Sequence, residues 1–358
     1  METIEAKTKR IAYLDMARGI GMVLVVLGHV EYLSGEWIRF VTAFHMPLFF
    51  LISGILIRKK KEEEKPLGIL VKKKLTSIML PYAIFSLLSF LIESSRMWIK
   101  GLNEWNVVLR QLFQSCCLQG VSTLWFLPAL FMGELIFIGI RKKTSYVGTL
   151  FCVSLVVIGA VMLNTYEQTF AQVHAVSRGY RLLHDVCSML IRNLFCVGFL
   201  CAGYFADYLF FEKSLKCLMD ICMTVLLGVI AFASIQMSGL VDLRFMRFES
   251  APLYVVVAVS GSLTVLFLCR CLERLPRNPI QKVMEYYGRN SLTIMVTHMD
   301  FRVMYIALRL LLLITLEPIY SIWFCLMMVL VVFLLEIPII WVVNKFFPFA
   351  VGRGRKSS

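Results

Sequence analysis

Charge is what this sequence has least of. Asp, Glu, Lys and Arg make up 17% of its 358 residues, and 59% of the chain is hydrophobic. A soluble domain carries about 25% charged residues. With a mean hydropathy of +0.77, that balance argues against a soluble enzyme. Low-complexity and Pro/Gly-rich stretches are also missing, which argues against a disordered chain or a fibre. Acidic residues are the scarcer sign, 23 against 37 basic, for a net charge of +14. The basic residues gather at the ends of apolar runs, as in the loops of a membrane protein, so nucleic acid is not expected as a partner. The 11 cysteines form no disulfide framework. Cys152, Cys187, Cys196, Cys201, Cys222 and Cys325 sit inside apolar runs as small hydrophobes. No Cys/His spacing suits zinc, and no metal is expected. A cleaved leader is not expected either: the first apolar stretch lacks a small-residue cleavage site and carries Asp15 and Arg18.

What the chain has is long apolar runs. A spanning helix needs about 20 mostly apolar residues. Ten candidates cover residues 11–33, 38–57, 75–95, 123–140, 146–163, 186–209, 215–237, 252–270, 290–314 and 319–343. They predict an all-α polytopic membrane protein of about ten transmembrane helices. It is read as a single domain over 1–358, with its core in 10–343 and short tails. No internal repeat is visible. Lys/Arg asymmetry sets the orientation: with the N-terminus inside, about 25 of the 37 basic residues face the cytoplasm. Both termini are then cytoplasmic, and a cell (cytoplasmic or inner) membrane location is expected. The outer loops hold Trp98, Trp105 and Gln111 in one and His174, Arg178, Tyr180, Arg181 and His184 in another. Aromatics at an interface are ordinary anchors. Mixed with Arg, His and Gln they also suit a polar entrance.

Ionisable residues inside a membrane are costly, so each is a functional candidate. The first span reads IAYLDMARGIGMVLVVLGHV. Asp15 and Arg18 share a face and can pair. His29 lies eleven residues beyond Arg18, on nearly the same face and ~16 Å along the axis. The bland reading is a salt-bridged helix end plus a structural histidine. The second span, FHMPLFFLISG, adds His45. A hairpin turn near Ser34-Gly35 places His29 and His45 at similar depth. Two imidazoles at one level in an apolar hairpin are hard to explain as packing, and a neutral imidazole can act as a general base. Pro47 kinks or restarts its helix, and Ser53-Gly54 allow close approach of another helix. Glu134 and Arg192 are intramembrane charges of opposite sign and candidates to pair with each other.

These residues carry a resemblance. LDMARGIGMVLVVLGH followed by FHMPLFFLISGIL resembles the acyltransferase-3 family of integral membrane O-acyltransferases, closest to its fucose 4-O-acetylase-like branch. KKKLTSIMLPY (72–82), LWFLPALF (124–131) and GRNSLTIMVTH (288–298) agree in order. Arg18 stands where that branch more often has Lys. Lys72, Lys73 and Lys74 stand where many relatives carry Arg-x-Arg, which weakens the fit to a bidentate phosphate contact.

The resemblance implies transfer of an acetyl group from acetyl-CoA to a sugar hydroxyl. His29 is then the general base, or the carrier of a transient acetyl-imidazole. Asp15 fixes Arg18, which holds the donor. His45 is a second imidazole or a positioning group. The basic loop from Arg58 to Lys74 suits an anionic cofactor, with Lys72, Lys73 and Lys74 as contacts and Pro81-Tyr82 shaping the helix entry, Tyr82 among the candidate donor contacts. Trp125, Glu134, Asn290, Ser291 and His298 are candidates for acceptor binding or the oxyanion. Arg18, Trp125, Asn290 and Ser291 remain equal candidates to donate to that oxyanion. The implied partners are acetyl-CoA, a lipid-linked or exported carbohydrate acceptor and the bilayer. The rival class is a transporter or flippase, which predicts an inverted repeat and broken helices near the midplane; neither is expected here. A third reading is an anchoring or sensory module, which tolerates loss of His29.

Overall fold

The computed structural model describes residues 11–101, 105–174, 178–212, 217–316 and 319–353, with side chains from 170 to 183 excepted. His174, Arg178, Tyr180, Arg181 and Glu317 therefore lie outside the described residues or side chains. Fourteen α-helices follow in chain order. They are α1 (Ala12–Gly28), α2 (Gly35–Lys59), α3 (Leu67–Lys74), α4 (Leu80–Lys100), α5 (Trp105–Cys116), α6 (Phe126–Lys143) and α7 (Tyr146–His174), then α8 (Arg178–Ala206), α9 (Cys217–Ser238), α10 (Ala251–Glu273), α11 (Pro279–Arg289), α12 (Ser291–Thr297), α13 (Val303–Thr315) and α14 (Ile322–Phe346). Among the described residues there is no strand, only an isolated bridge between Asp242 and Arg247. The chain is an all-α polytopic membrane protein. Among the described residues, eight helical segments are long and apolar enough to cross a bilayer.

Two of the ten expected spans are built differently. The first ends at Gly28 rather than running to residue 33. Its 17 residues reach about 26 Å, just short of a ~30 Å hydrocarbon core. The ninth is broken. α12 stops at Thr297, residues 298–302 form a turn, and α13 starts at Val303 after Arg302 in the left-handed region (φ 58°). Apolar run length does not predict this break, and its cause is local. The turn reads His298-Met299-Asp300-Phe301-Arg302, and its backbone is re-satisfied by Met304 N donating to the His298 carbonyl at 3.0 Å. Irregular backbone at such depth persists where it is buried in protein or lines a cavity.

Two close helix crossings set the frame. A β-carbon on Gly288 of α11 would overlap the Asp15 carbonyl oxygen, and one on Gly19 of α1 would overlap that of Met284. The Ala-Arg-Gly and Tyr-Gly-Arg motifs are thus the two halves of one contact. Gly54 of α2 meets the Leu200 carbonyl of α8, and Gly203 of α8 meets that of Leu51; this is the close approach expected at Gly54. α2 runs unbroken through Pro47.

One face of the bundle is basic and held by ion pairs. Asp15 binds Arg18 at 3.3 Å and Arg289 at 3.2 Å. Asp207 binds Lys59 at 2.8 Å, and Asp220 binds Arg274 at 2.6 Å and also Arg270. Glu62 binds Lys74 at 2.7 Å and Lys73 at 2.9 Å. The expected Glu134–Arg192 pair does not form. Glu134 is buried against Lys74 at 2.8 Å, because α3 brings the lysine to the foot of α6. Arg192 goes to the other end of the bundle, where it donates to the carbonyls of Gln119 and Arg244, both at 3.2 Å.

Candidate active site

Three histidines converge at the face opposite the ion pairs. His29 caps the end of α1, and its ring meets that of His298 with centroids 5.3 Å apart and planes inclined by 58°. His45 of α2 lines the same cavity as His29. Depth along the hairpin pairs His29 with His45; the ring contact is with His298, which the helix break delivers to it. His45 Nδ1 lies 2.9 Å from the Val41 carbonyl and His298 Nδ1 lies 2.6 Å from that of Ile294. A carbonyl oxygen only accepts, so Nδ1 of each ring carries a proton, and Nε2 of the neutral ring is left as a base or acceptor. His298 Nε2 is buried and meets no partner among the described residues.

Two cavities share His29. The first, of about 550 Å³, is lined by His29, His45, Thr123, Trp125 and the 240–247 segment. The second, of about 500 Å³, is lined by His29, Tyr32, Glu93, Asp300, Arg302 and Tyr305 among others. Ser122 also lines both. His29 is thus reachable from two sides. Thr123 Oγ1 donates to the Met295 carbonyl at 2.7 Å, pinning the start of α6 to α12 and placing Trp125 in the first cavity. The Arg192 guanidinium stacks on Trp125 at 4.8 Å from the ring centroid.

The 239–250 segment is a part of the site that reading for spans passes over. It folds back into the bundle, burying Val241, Leu243 and Met246. Asp242 and Arg247 exchange two backbone hydrogen bonds of 2.9 Å. Asn164 and Gln168 both donate to the Met246 carbonyl at 3.1 Å. The signal available for it is the alternation of apolar with charged residues in Leu-Val-Asp-Leu-Arg-Phe-Met-Arg, since a plain interhelical turn has no need of buried apolar positions.

The remaining predicted residues lie elsewhere. Asp15 and Arg18 are at the basic face, eleven or more residues and ~16 Å along α1 from His29. Asn290 accepts from Asn344 at 3.0 Å and donates to the Tyr286 carbonyl at 2.8 Å, also at that face. Ser291 begins α12 beside it. Asn290 is ~12 Å of helical rise below His298. Of the four oxyanion candidates, Trp125 alone lines the His29 cavity. Lys74 is spent on Glu134 and Glu62, and Glu134 on Lys74. Lys72 is exposed, while Tyr82 donates to the Ser115 carbonyl at 2.6 Å, a turn or more up the helix from the lysines.

The basic face has its own electrostatic signature. Lys60 is held below the ordinary lysine range by burial and by Lys73, Arg18 and Lys74, with Glu62 opposing. These cations therefore converge. Burial pushes the Glu62 carboxyl up, but Lys74 and Lys73 outweigh it and hold it below its usual range. The convergence of cations around Lys60 makes this face suited to an anion.

The described residues thus form an all-α membrane bundle with a histidine centre beside two cavities and a basic patch at its far face. The family model for an acyltransferase domain matches residues 11–337, so the chain belongs to the acyltransferase-3 family and is a multi-pass membrane acyltransferase. No curated protein and no solved structure matches it.

Proposed function

We propose that the protein moves an acetyl group from acetyl-CoA to a hydroxyl of a lipid-linked or exported glycan, with His29 as general base. The observation that carries this reading is the position of His29, shared by two cavities. Both cavities are lined by residues at the end away from the basic face and take the acceptor, while the pantetheine arm of CoA carries the thioester to His29 from the basic face. The basic face is cytoplasmic in this reading, as the Lys/Arg asymmetry favours, and the protein sits in the cell (inner) membrane. Lys60, Lys72, Lys73 and Arg18 then meet the phosphates of CoA, with Asp15, itself held by Arg289, fixing Arg18. Lys74 supports the patch from below through Glu62 and Glu134. The fucose 4-O-acetylase-like branch supplies the expectation of a sugar acceptor.

The step balances on the atoms of its two substrates. His29 takes the proton from the acceptor hydroxyl as its oxygen attacks the thioester carbonyl. Trp125 supports the developing oxyanion from the cavity wall. Collapse of the tetrahedral intermediate breaks the C–S bond, and the proton held on His29 passes to the departing CoA thiolate. The products are the acetyl ester and free CoA. His298 packs against His29 and orients it, and His45 positions the acceptor side.

The runner-up is a transporter of a glycan or a small anionic solute, and the broken span at 298–302 is the observation in its favour. Equilibrium binding of acetyl-CoA to the purified protein, followed by release of free CoA over time, separates the two. The enzyme binds acetyl-CoA and liberates CoA when acceptor is added. A well-folded protein that binds no acetyl-CoA overturns the acetyl-CoA reading and favours the transporter.

A further inference from the structure

Next to the histidine cavity lies a larger vestibule of about 800 Å³. Leu240, Arg244, Phe245 and Arg247 line both, so the 239–250 segment is the wall between them. The vestibule carries four arginines, Arg110, Arg192, Arg244 and Arg247, against Glu167, Asp185 and Glu249. Most of its carboxylates are engaged. Asp185 faces Arg110 at 3.6 Å, and Glu167 accepts from His184 and from Ser188 at 3.5 Å.

Arg192 and Arg244 are different. Arg192 is 2% exposed, and its two terminal nitrogens donate to the backbone carbonyls of Arg244 and Gln119. Carbonyls solvate those protons but do not neutralise the charge. Its Nε is buried and meets no acceptor among the described residues. Arg244 is half-buried, with its guanidinium over Phe245 at 5.0 Å. Among the described residues no carboxylate pairs with either guanidinium. Burial holds Arg244 below the ordinary arginine range despite Asp242 and Asp300. Two cations within Coulombic reach raise each other's cost in a low-dielectric site. A merely structural arginine tying two loops together has no need of a second unpaired arginine beside it. Around the pair, the Gln114, Gln119 and Gln168 amides and the Phe245 and Phe248 rings offer the mixed polar and flat apolar surface that suits a saccharide.

We infer that Arg192 and Arg244 bind an acidic substituent, a carboxylate or a phosphate, on the saccharide acceptor, and so select anionic glycans and hold their hydroxyls toward His29. This deepens the acyltransferase reading of the same site and rests on it for the identity of the bound molecule as acceptor. Arg244 offers the planar fork that either oxyanion takes bidentately, and Arg192, whose terminal nitrogens are held by carbonyls, adds its charge behind it.

The test is equilibrium binding to the full-length protein in nanodiscs, using three probes: a uronic-acid tetrasaccharide, its carboxyl-reduced neutral counterpart, and a glycosyl phosphate. At least one anionic probe is expected to bind roughly tenfold or more tightly than the neutral one, because the cations otherwise stay unpaired. Arg244→Gln, on a half-exposed loop, is expected to abolish that preference while acetyl-CoA binding is retained. Arg192→Lys, which keeps the charge but loses the fork, is expected to weaken it by a smaller factor. Equal binding of the neutral and anionic probes, or an unchanged preference in Arg244→Gln, overturns the proposal. Competitive displacement of the anionic probe by CoA also overturns it, by assigning the arginines to the donor. Anionic binding without any acetyl transfer leaves the arginine site standing and removes the enzymatic reading instead.

Discussion

His29 and His298 face one another with ring centroids 5.3 Å apart, across the junction between the end of α1 and a break in the ninth span. The break is what makes the contact possible. Thr297, the residue before it, lies 2.8 and 2.9 Å from the two carboxyl oxygens of Glu336 on α14, which anchors the broken end.

The first prediction concerns that contact. His298→Gln keeps a polar side chain but loses the ring that packs on His29. It is expected to lower kcat by about 10–100-fold, less than the 10²–10⁴-fold range of losing a general base, with KM for acetyl-CoA little changed. Steady-state kinetics with both substrates varied checks it. An equal loss in KM for acetyl-CoA contradicts a positioning role.

A second prediction follows from the basic face. Lys60 binds an anion only as the cation, and its neighbourhood depresses its pKa. Acetyl-CoA affinity is therefore full below that depressed pKa and falls as pH rises through it, earlier than for an ordinary lysine. Lys60→Gln is expected to weaken binding by about tenfold, or ~1.4 kcal/mol, and to flatten the alkaline limb. Titrating Kd against pH for both proteins gives the answer.

Packing makes a third prediction. Gly288→Ala drives a β-carbon into the Asp15 carbonyl, whereas a β-carbon added at Gly35 meets no atom within 4 Å, so Gly35 tolerates Ala. Thermal unfolding in detergent is expected to show a loss of about 3 kcal/mol or more for Gly288→Ala, at or above the upper end of the ordinary range for point mutations. Gly35→Ala is expected within about 0.5 kcal/mol of wild type. Comparable stability of the two proteins contradicts the tight α1–α11 crossing.

The Lys74 triad makes the fourth. Lys74→Met leaves Glu62 its Lys73 partner but strands the buried Glu134 carboxylate, and is expected to cost ~3–5 kcal/mol. Glu134→Gln leaves Lys74 its Glu62 partner and is expected to cost clearly less. Equal penalties for the two variants contradict the shared-lysine geometry.

Much of this fold is legible in the sequence. Apolar run length marks the helices, because backbone satisfaction in lipid leaves few alternatives. The Asp15–Arg18 pair follows from i, i+3 spacing. The close crossing at Gly54 follows from the Ser53-Gly54 pair, since small residues let another helix backbone approach. Three things are not legible. The break at 298–302 sits inside an apolar window, and run length cannot see a turn whose backbone is satisfied within the turn itself. The partners of Glu134 and Arg192 depend on which helices are neighbours, which no local pattern encodes. The Arg192–Arg244 wall needs the 239–250 segment to fold inward, and its charged residues make it look like an ordinary loop.

The measurement that bears most directly on the central claim is acetyl-CoA-dependent acetyl transfer by wild type and His29→Ala, purified side by side with acetyl-CoA binding recorded for both. The account predicts that both bind acetyl-CoA with similar affinity and that only the wild type transfers, with turnover of His29→Ala down by at least about 10²-fold. Wild-type turnover in His29→Ala would contradict it and remove His29 from the chemistry.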